Sequence, residues 1–297
     1  MSSIKPDDDV RAKMKYLNLG CGTRYHPEWI NIDIAPSGEG VIKHDLSQGI
    51  PLADASCDAV YHSHLIEHLR QPDALQFMRE CHRVMKPGAI LRVAVPDLEQ
   101  ICRVYLEKLE QTLKHDQNNP DDYDWIILEL LDQTVREQSG GGMLGFLSRS
   151  RIPNEDFIYE RIGEEGRNLV RVLKQQSINK SDPSSGRIEK LTRRKPIPTL
   201  QTLRSKIRRK LLTRWLGSDW RRPLEIGRFR LAGEVHQWMY DRYSLARLML
   251  WAGFQDPIQQ SATQSQISDW PSFNLDTLAD GTVVKPDSLF MEAKRPV

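Results

Sequence analysis

The stretch from Tyr16 to Asp33, Tyr-Leu-Asn-Leu-Gly-Cys-Gly-Thr-Arg-Tyr-His-Pro-Glu-Trp-Ile-Asn-Ile-Asp, limits the fold more than any other part of the chain. An apolar strand carrying Leu17 and Leu19 runs straight into Gly20-Cys21-Gly22, and a second strand carrying Ile30 and Ile32 ends on Asp33. Glycines at the carboxyl end of a strand let the backbone turn sharply and approach a ligand closely, because they accept positive φ and carry no Cβ. A carboxylate at the tip of the neighbouring strand can accept the protons of both hydroxyls of a ribose. The layout predicts a nucleotide-type site, against the plainer reading of a tight turn. A dinucleotide cradle would place a third glycine where Tyr25 stands, so a pyrophosphate is disfavoured. Only Cys21 to Glu28 separate the two strands, fewer than the dozen or so residues of a helical crossover. The first helix is therefore expected to shrink to a turn or vanish.

The chain has 297 residues, 39% of them hydrophobic, enough to bury a core in one large or two ordinary domains. No run approaches the roughly 18 apolar residues of a membrane span, and the first residues carry no signal-peptide core, so a cytoplasmic location is expected. Cys21, Cys57, Cys81 and Cys102 show no C-x-x-C spacing, which argues against a disulfide framework or a zinc site. Charge is uneven: residues 187–230 hold 15 lysines and arginines against Glu189, Asp219 and Glu225, although the net charge of the whole chain is only +2.

Residues 1–13 are polar and expected to form a loose arm. Val41 to Leu46 reads as a third strand and Asp58 to Ser63 as a fourth. A helix is predicted from Asp73, with Leu75, Met78, Cys81, Val84 and Met85 at helical spacing and Lys86-Pro87-Gly88 ending it. Ala89 to Val95 reads as a fifth strand. From 99 to about 137 helices are predicted, Ile101, Val104, Tyr105 and Leu109 forming one stripe and Trp125, Leu128, Leu131 and Val135 another, until Ser139 to Gly142 breaks them. Lys174 to Thr199 is polar and rich in proline, as in a mobile connector, and Thr199 to Leu216 reads as a basic amphipathic helix. Ser244 is the expected cap of a further helix that ends at Gly253. Ile258 to Ser261 and Ser288 to Ala293 give the last two strands, closing the sheet as an antiparallel pair. Strand, helix and strand in alternation predict an α/β fold with a parallel sheet.

On Asn-Leu-Gly-Cys-Gly, Asp33, His44-Asp45-Leu46 and Tyr61-His62-Ser63-His64-Leu65-Ile66-Glu67-His68-Leu69, taken in that order, the sequence resembles the class I S-adenosylmethionine-dependent methyltransferases, in the branch related to ubiquinone and menaquinone methyltransferases. The resemblance covers about 14–98 and 234–297. It implies a Rossmann-like, seven-stranded sheet, mostly parallel with the last strand antiparallel, and a large helical insertion at 99–233 between the fifth and sixth strands, with a basic segment at about 174–230. It also implies S-adenosylmethionine as cofactor, held by Asn18, Gly20, Cys21, Gly22, Asp33, Ile34, Asp45, Leu46 and Ser63, with a helix cap or solvated turn as the alternative for Asp33 and Asp45 and a place facing the sheet for Asn18; no metal is expected, since no further ligand stands at a recognised spacing. The short first connection departs from the family pattern. Asp45 falls where the family contacts the adenine amine.

Methyl transfer needs positioning above all, and a base only if the acceptor must lose a proton. Imidazoles suit that task near neutral pH. His64 and His68, four apart, would share a face of a helical turn with Glu67 beside them, and His236 lies in the polar, aromatic stretch Gly233 to Asp241. These three are the candidate bases, each with a structural alternative. Glu234, Trp238 and Tyr240 are candidate acceptor contacts, and Arg136 either holds an anionic group of the acceptor or makes an internal salt bridge. No Asn-Pro-Pro-Tyr or Asp-Pro-Pro-Tyr sequence follows the fourth strand, which points away from planar amino acceptors and toward oxygen. Asp132 to Gly141 and 234–241 resemble bacterial members linked to polysaccharide or glycolipid assembly. The expected function is O-methylation of a sugar, glycan, lipid-linked saccharide or other small molecule. The rivals are an RNA methyltransferase using the basic block and a non-catalytic cofactor-binding scaffold. The basic helix 199–216 is expected to be a solvated face, with peripheral docking on an anionic membrane or RNA binding as alternatives.

Overall fold

The computed structural model describes residues 14–114, 120–181, 215 and 218–297. The loose arm, the connector beyond Ser181 and, apart from Trp215, the predicted basic helix lie outside those residues. In chain order the elements are β1 (Tyr16–Leu19), β2 (Trp29–Asp33), β3 (Val41–Lys43), β4 (Cys57–Ser63), α1 (Gln71–Val84), β5 (Met85–Pro96), α2 (Leu98–Leu113), α3 (Pro120–Ile127), a π turn (Leu128–Asp132), α4 (Gln133–Val135), α5 (Gly141–Leu147), α6 (Glu155–Ser181), α7 (Arg221–Arg230), α8 (Arg242–Trp251), β6 (Gln255–Gln260) and β7 (Ser288–Lys294).

The seven strands form one sheet in the order β3-β2-β1-β4-β5-β7-β6. β7 is antiparallel to both its neighbours, and the remaining pairs are parallel. This is the predicted Rossmann-like sheet with its strand reversal at β1 and β4, where ligands of open α/β sheets sit at the carboxyl ends of the strands. No helix intervenes between β1 and β2, as the short connection required, and none between β2 and β3.

Two compact units emerge, residues 1–97, 239–283 and 288–297 in one and 98–238 with 284–287 in the other. In the first, strand alternation sorts side chains onto two faces. Leu17, Leu19, Ile32, Val60, Leu91, Val93, Leu289 and Met291 share a core with Ala74, Phe77, Met78 and Cys81 of α1 and Leu245, Leu248 and Met249 of α8. Trp29, Ala59 and Tyr61 lie on the opposite face, covered by Ile267, Trp270, Phe273 and Leu275 from the β6–β7 connection. That returning segment takes the place of the missing helices.

Several boundaries move. β5 begins at Met85, directly after α1, so Lys86-Pro87-Gly88 belongs to a strand and not to a stop signal; Gly88 has φ +78°. β6 starts earlier than predicted, at Gln255. Asp241, not Ser244, caps α8: its carboxylate accepts from the Tyr243 and Ser244 N–H groups, while the Ser244 hydroxyl accepts from the Asp241 N–H in a capping box. In the second unit, α6 runs to Ser181 through a break at Gly163, so helix replaces the first part of the predicted connector. A Cβ on Gly163 would lie 2.5 Å from the Val284 carbonyl oxygen. The π turn also breaks the second predicted stripe. Its wider turn shifts the helical phase, leaving Leu131 and Val135 49% and 60% exposed while Glu129 and Asp132 turn inward. Among the described residues no helix is long and apolar enough to cross a membrane.

Candidate functional site

Gly20 and Gly22 take φ of +62° and +52° at the carboxyl end of β1, a region unfavourable to residues with a Cβ. A Cβ on Gly20 would stand 2.2 Å from Leu65 Cδ1, whereas one on Gly22 would meet nothing within 4 Å. The first glycine thus lets the segment after β4 pack closely, and the second faces open space. The Gly20 and Cys21 N–H groups donate to the Ile32 carbonyl at 2.8 and 3.3 Å. The Gly22 N–H donates to Asp33 Oδ2, and the Ala35 N–H to Asp33 Oδ1, both at 2.8 Å. Asp33 therefore clamps the loop, yet each of its oxygens keeps a further lone pair. Open space before Gly22, with a carboxylate of spare acceptor capacity beside it, fits an adenosyl ligand.

The other predicted cofactor residues divide. Ile34 is 63% exposed next to Asp33, and Ser63 is half-buried at the end of β4. Leu46 packs against the core. Asp45 is exposed and caps a 3-10 turn by accepting the Ser47 N–H at 3.0 Å, and its hydrogen bonds to Ser47 hold its carboxyl below the usual range. Asn18 faces the sheet interior, 1% exposed, and donates to the Arg24 carbonyl at 2.9 Å and to Asn31 Oδ1 at 3.2 Å. It braces the glycine loop from within. Cys21 is buried, and burial first, then the Asp33 charge, pushes its thiol up to about 11, so it stays protonated at neutral pH.

After β4 the predicted helical turn is absent. His64 takes φ +50°, a strained value for a non-glycine residue costing on the order of 1 kcal/mol, and Ile66–His68 form a 3-10 turn. Both imidazoles still meet one carboxylate: Glu67 Oε1 lies 3.3 Å from His64 Nδ1 and 4.0 Å from His68 Nε2, and the Glu67 side chain is fully buried. His64 Nε2 lies 2.8 Å from Ser288 Oγ. Beside this group, His62 is completely buried with its ring edge-on to Phe77, and burial, opposed in part by Glu67, pushes its pKa down to about 4. Tyr240 is 3% exposed; burial and then Glu67 push its phenol up to about 12.

The candidate acceptor residues of the second unit serve mainly as internal ties. Arg136 pairs with Asp132 at 2.7 Å and Glu234 at 3.3 Å, the salt-bridge alternative of the sequence reading. Glu234 also accepts the Gly140 N–H at 2.9 Å, and Asp132 the Gly142 N–H at 2.6 Å. The His236 N–H donates to the Gln133 carbonyl at 2.9 Å, and its side chain is buried. Trp238 is 43% exposed.

Sequence reasoning placed Glu67 beside the histidines without seeing that one of its oxygens lies within 4.0 Å of both, and it missed Ser288. A local signal existed for the first in His-x-x-Glu-His. None existed for the second, 224 residues from His64.

The sheet order and the glycine loop define an α/β protein of the Rossmann-like methyltransferase type. The model of the methyltransferase domain family matches residues 17–93, and over that part the chain is similar to S-adenosylmethionine-dependent methyltransferase domains of the type 11 kind. Over 56 residues the chain is 43% identical to a "Probable S-adenosylmethionine-dependent methyltransferase" of Mycolicibacterium smegmatis, covering 19% of this chain and 21% of that protein. It is 27% identical over 194 residues to methyltransferase GfsG of Streptomyces halstedii, covering 53% of this chain and 66% of the relative. A solved S-adenosylmethionine-dependent methyltransferase from Mesorhizobium loti aligns over 95% of this chain and 91% of its own at 13% identity, with a TM-score of 0.34. The chain thus spans about a fifth of the first relative's length and less than two thirds of the second's.

Proposed function

We propose that the protein transfers a methyl group from S-adenosylmethionine to an oxygen of a small molecule, with a sugar, glycan or lipid-linked saccharide as the preferred acceptor. The observation that carries this is the Gly20–Gly22 loop clamped by Asp33 at the strand reversal of the sheet, with open space before Gly22. Asp33 would accept the ribose hydroxyls with the lone pairs that Gly22 and Ala35 leave free, and Asp45 would stand at the adenine edge. Bound there, S-adenosylmethionine would supply an electrophilic methyl carbon on a sulfonium sulfur. The protein's own contribution is to orient the acceptor in line and to give its proton a destination. Imidazole in place of a Pro-Pro-Tyr clamp after β4 favours a hydroxyl over a planar amine.

Calorimetry with S-adenosylhomocysteine tests the site. Wild type should bind, and Asp33→Ala should weaken binding at least tenfold, about 1.4 kcal/mol, while far-UV circular dichroism stays unchanged. Equal affinity would misplace the ribose, and absence of heat from folded wild type at millimolar ligand would remove the methyltransferase reading.

A further inference from the structure

Ser288 opens β7 opposite Pro96 at the carboxyl end of β5, and His64 follows the carboxyl end of β4, its N–H donating to the Ala94 carbonyl at 2.9 Å. Both therefore stand on the edge of the sheet that carries the glycine loop, and Leu65, next in the chain to His64, fills the space a Gly20 side chain would need. His64 holds its positive φ with a partner on each ring nitrogen: Glu67 Oε1 at 3.3 Å from Nδ1 and Ser288 Oγ at 2.8 Å from Nε2. With Glu67 ionised, Nδ1 carries the hydrogen, Nε2 keeps its lone pair and the serine hydroxyl donates to it; with Glu67 protonated the roles reverse, and the tautomer of the ring decides between the two. The same order of acid, imidazole and hydroxyl activates oxygen on unrelated folds.

We infer that Glu67, His64 and Ser288 form a proton relay whose acceptor-facing end is the Ser288 hydroxyl, so that His64 acts through that serine without touching the acceptor. The inference rests on the methyl-transfer reading for the reaction served, while the relay geometry stands apart from it. As the acceptor oxygen bonds to the methyl carbon and the carbon–sulfur electron pair stays on sulfur, the acceptor's proton passes to Ser288 Oγ and the serine's own proton to His64 Nε2. The resulting imidazolium is paired with the Glu67 carboxylate. The substrate class is a neutral hydroxyl compound, which must lose a proton, and not a carboxylate, which need not. Other titratable groups surround the relay. His68 touches the same Glu67 oxygen, and His62 and Tyr240 lie within its field. Asp276, across the sheet, is coupled electrostatically to His64. His62 and Tyr240 are held neutral at pH 7 by burial, so neither competes for the proton.

Long-range proton–nitrogen correlation spectra of the 15N-labelled protein at neutral pH test the relay, the His64 ring being assigned by its loss in His64→Gln. The expected result is a single tautomer with Nδ1 protonated. Ser288→Ala should keep that tautomer and move the Nε2 resonance toward that of an unbonded lone pair, and Ser288→Thr should restore it. Glu67→Gln should release the ring into a tautomer mixture. An Nε2-protonated ring in wild type, or an Nε2 resonance indifferent to Ser288→Ala, overturns the relay whatever the cofactor does. Homocysteine-ligand calorimetry on the same samples separates the two claims: Ser288→Ala should bind S-adenosylhomocysteine as wild type does, so a failed titration in wild type would sink the methyl-transfer reading and leave the tautomer result standing.

Discussion

Tyr61 and His62 are neighbours on β4 and enter opposite halves of the same sheet, and the two halves are stabilised in different ways. On the side of His62 the sheet meets α1 and α8 through aliphatic side chains, Leu17, Val60, Leu91 and Met291 against Met78, Cys81, Leu248 and Met249. On the side of Tyr61 the buried set is polar and aromatic. Arg92, fully buried, donates to Asp276 Oδ2 and Glu292 Oε1 at 2.9 Å, to the carbonyls of Ser261 and Gln264 at 2.7 and 2.9 Å, and lies 4.4 Å above the Trp270 ring. Glu292 in turn accepts the Gln266 N–H at 2.7 Å and the Ser265 hydroxyl. A helix satisfies its own backbone, so the face it covers can be oil. An irregular strap brings unpaired carbonyls and N–H groups to the sheet, and a buried guanidinium with two carboxylates supplies their partners.

The largest effect follows on the polar side. Asp276→Ala leaves Arg92 with one of its two carboxylates and Tyr61 with no acceptor, a break in a buried charge network that costs about 3–5 kcal/mol. The urea midpoint should fall accordingly, and fluorescence should report the change, since Trp270 of the strap stands edge to face with Trp29 of the sheet at 6.0 Å. A loss below about 1 kcal/mol would mean that the strap is held by its apolar contacts and that the two faces differ less than their chemistry suggests.

On the aliphatic side the weak point is acid. His62 is buried with neither ring nitrogen hydrogen-bonded, and its pKa is about 4 in the fold against 6.5 for the free side chain. Between those values the unfolded chain binds a proton that the folded protein refuses, so stability is whole above pH 6.5 and falls as the pH drops toward 4. The full span is on the order of 3 kcal/mol. Urea melts at several pH values should show this slope in wild type and a flatter one in His62→Phe. An unchanged slope would place the acid sensitivity elsewhere.

These two faces were unequally legible in the sequence. The aliphatic one announces itself locally: period-two strands at Leu17, Leu19 and at Leu91, Val93, and period-three-to-four spacing at Met78, Cys81, Val84. The glycine loop and Asp33 are readable for the same reason, since the chemistry and its spacing lie within a few residues. The strap has no period. Ile267, Trp270, Phe273 and Leu275 sit among serines, aspartates and a proline, and their partners Trp29 and Tyr61 lie about two hundred residues back, so nothing nearby marks them as core. Arg92 could be taken for an ordinary outward residue of a strand, because the carboxylates that bury it, Asp276 and Glu292, are supplied by the last part of the chain. Leu131 and Val135 failed for a different cause: one π turn resets the helical phase, and a 3.6-residue count cannot anticipate it.

The smallest expected effect sharpens the comparison most. Tyr61 donates to Asp276 Oδ1 at 2.5 Å, while Arg92 holds Oδ2. Tyr61→Phe therefore removes one hydrogen bond to a charged group but leaves the carboxylate anchored and the ring packed against Trp270 at 5.0 Å. The cost should be about 1.5 kcal/mol, well under that of Asp276→Ala. The two changes share one partner, so the double variant should lose hardly more than Asp276→Ala alone, a coupling of about 1 kcal/mol or more by a double-mutant cycle. Additive losses would show that Tyr61 is held by the aromatic cluster of Trp29, Trp270 and Phe273 alone, and the polar face would then be two independent structures, an aromatic pad and an arginine clamp, instead of one.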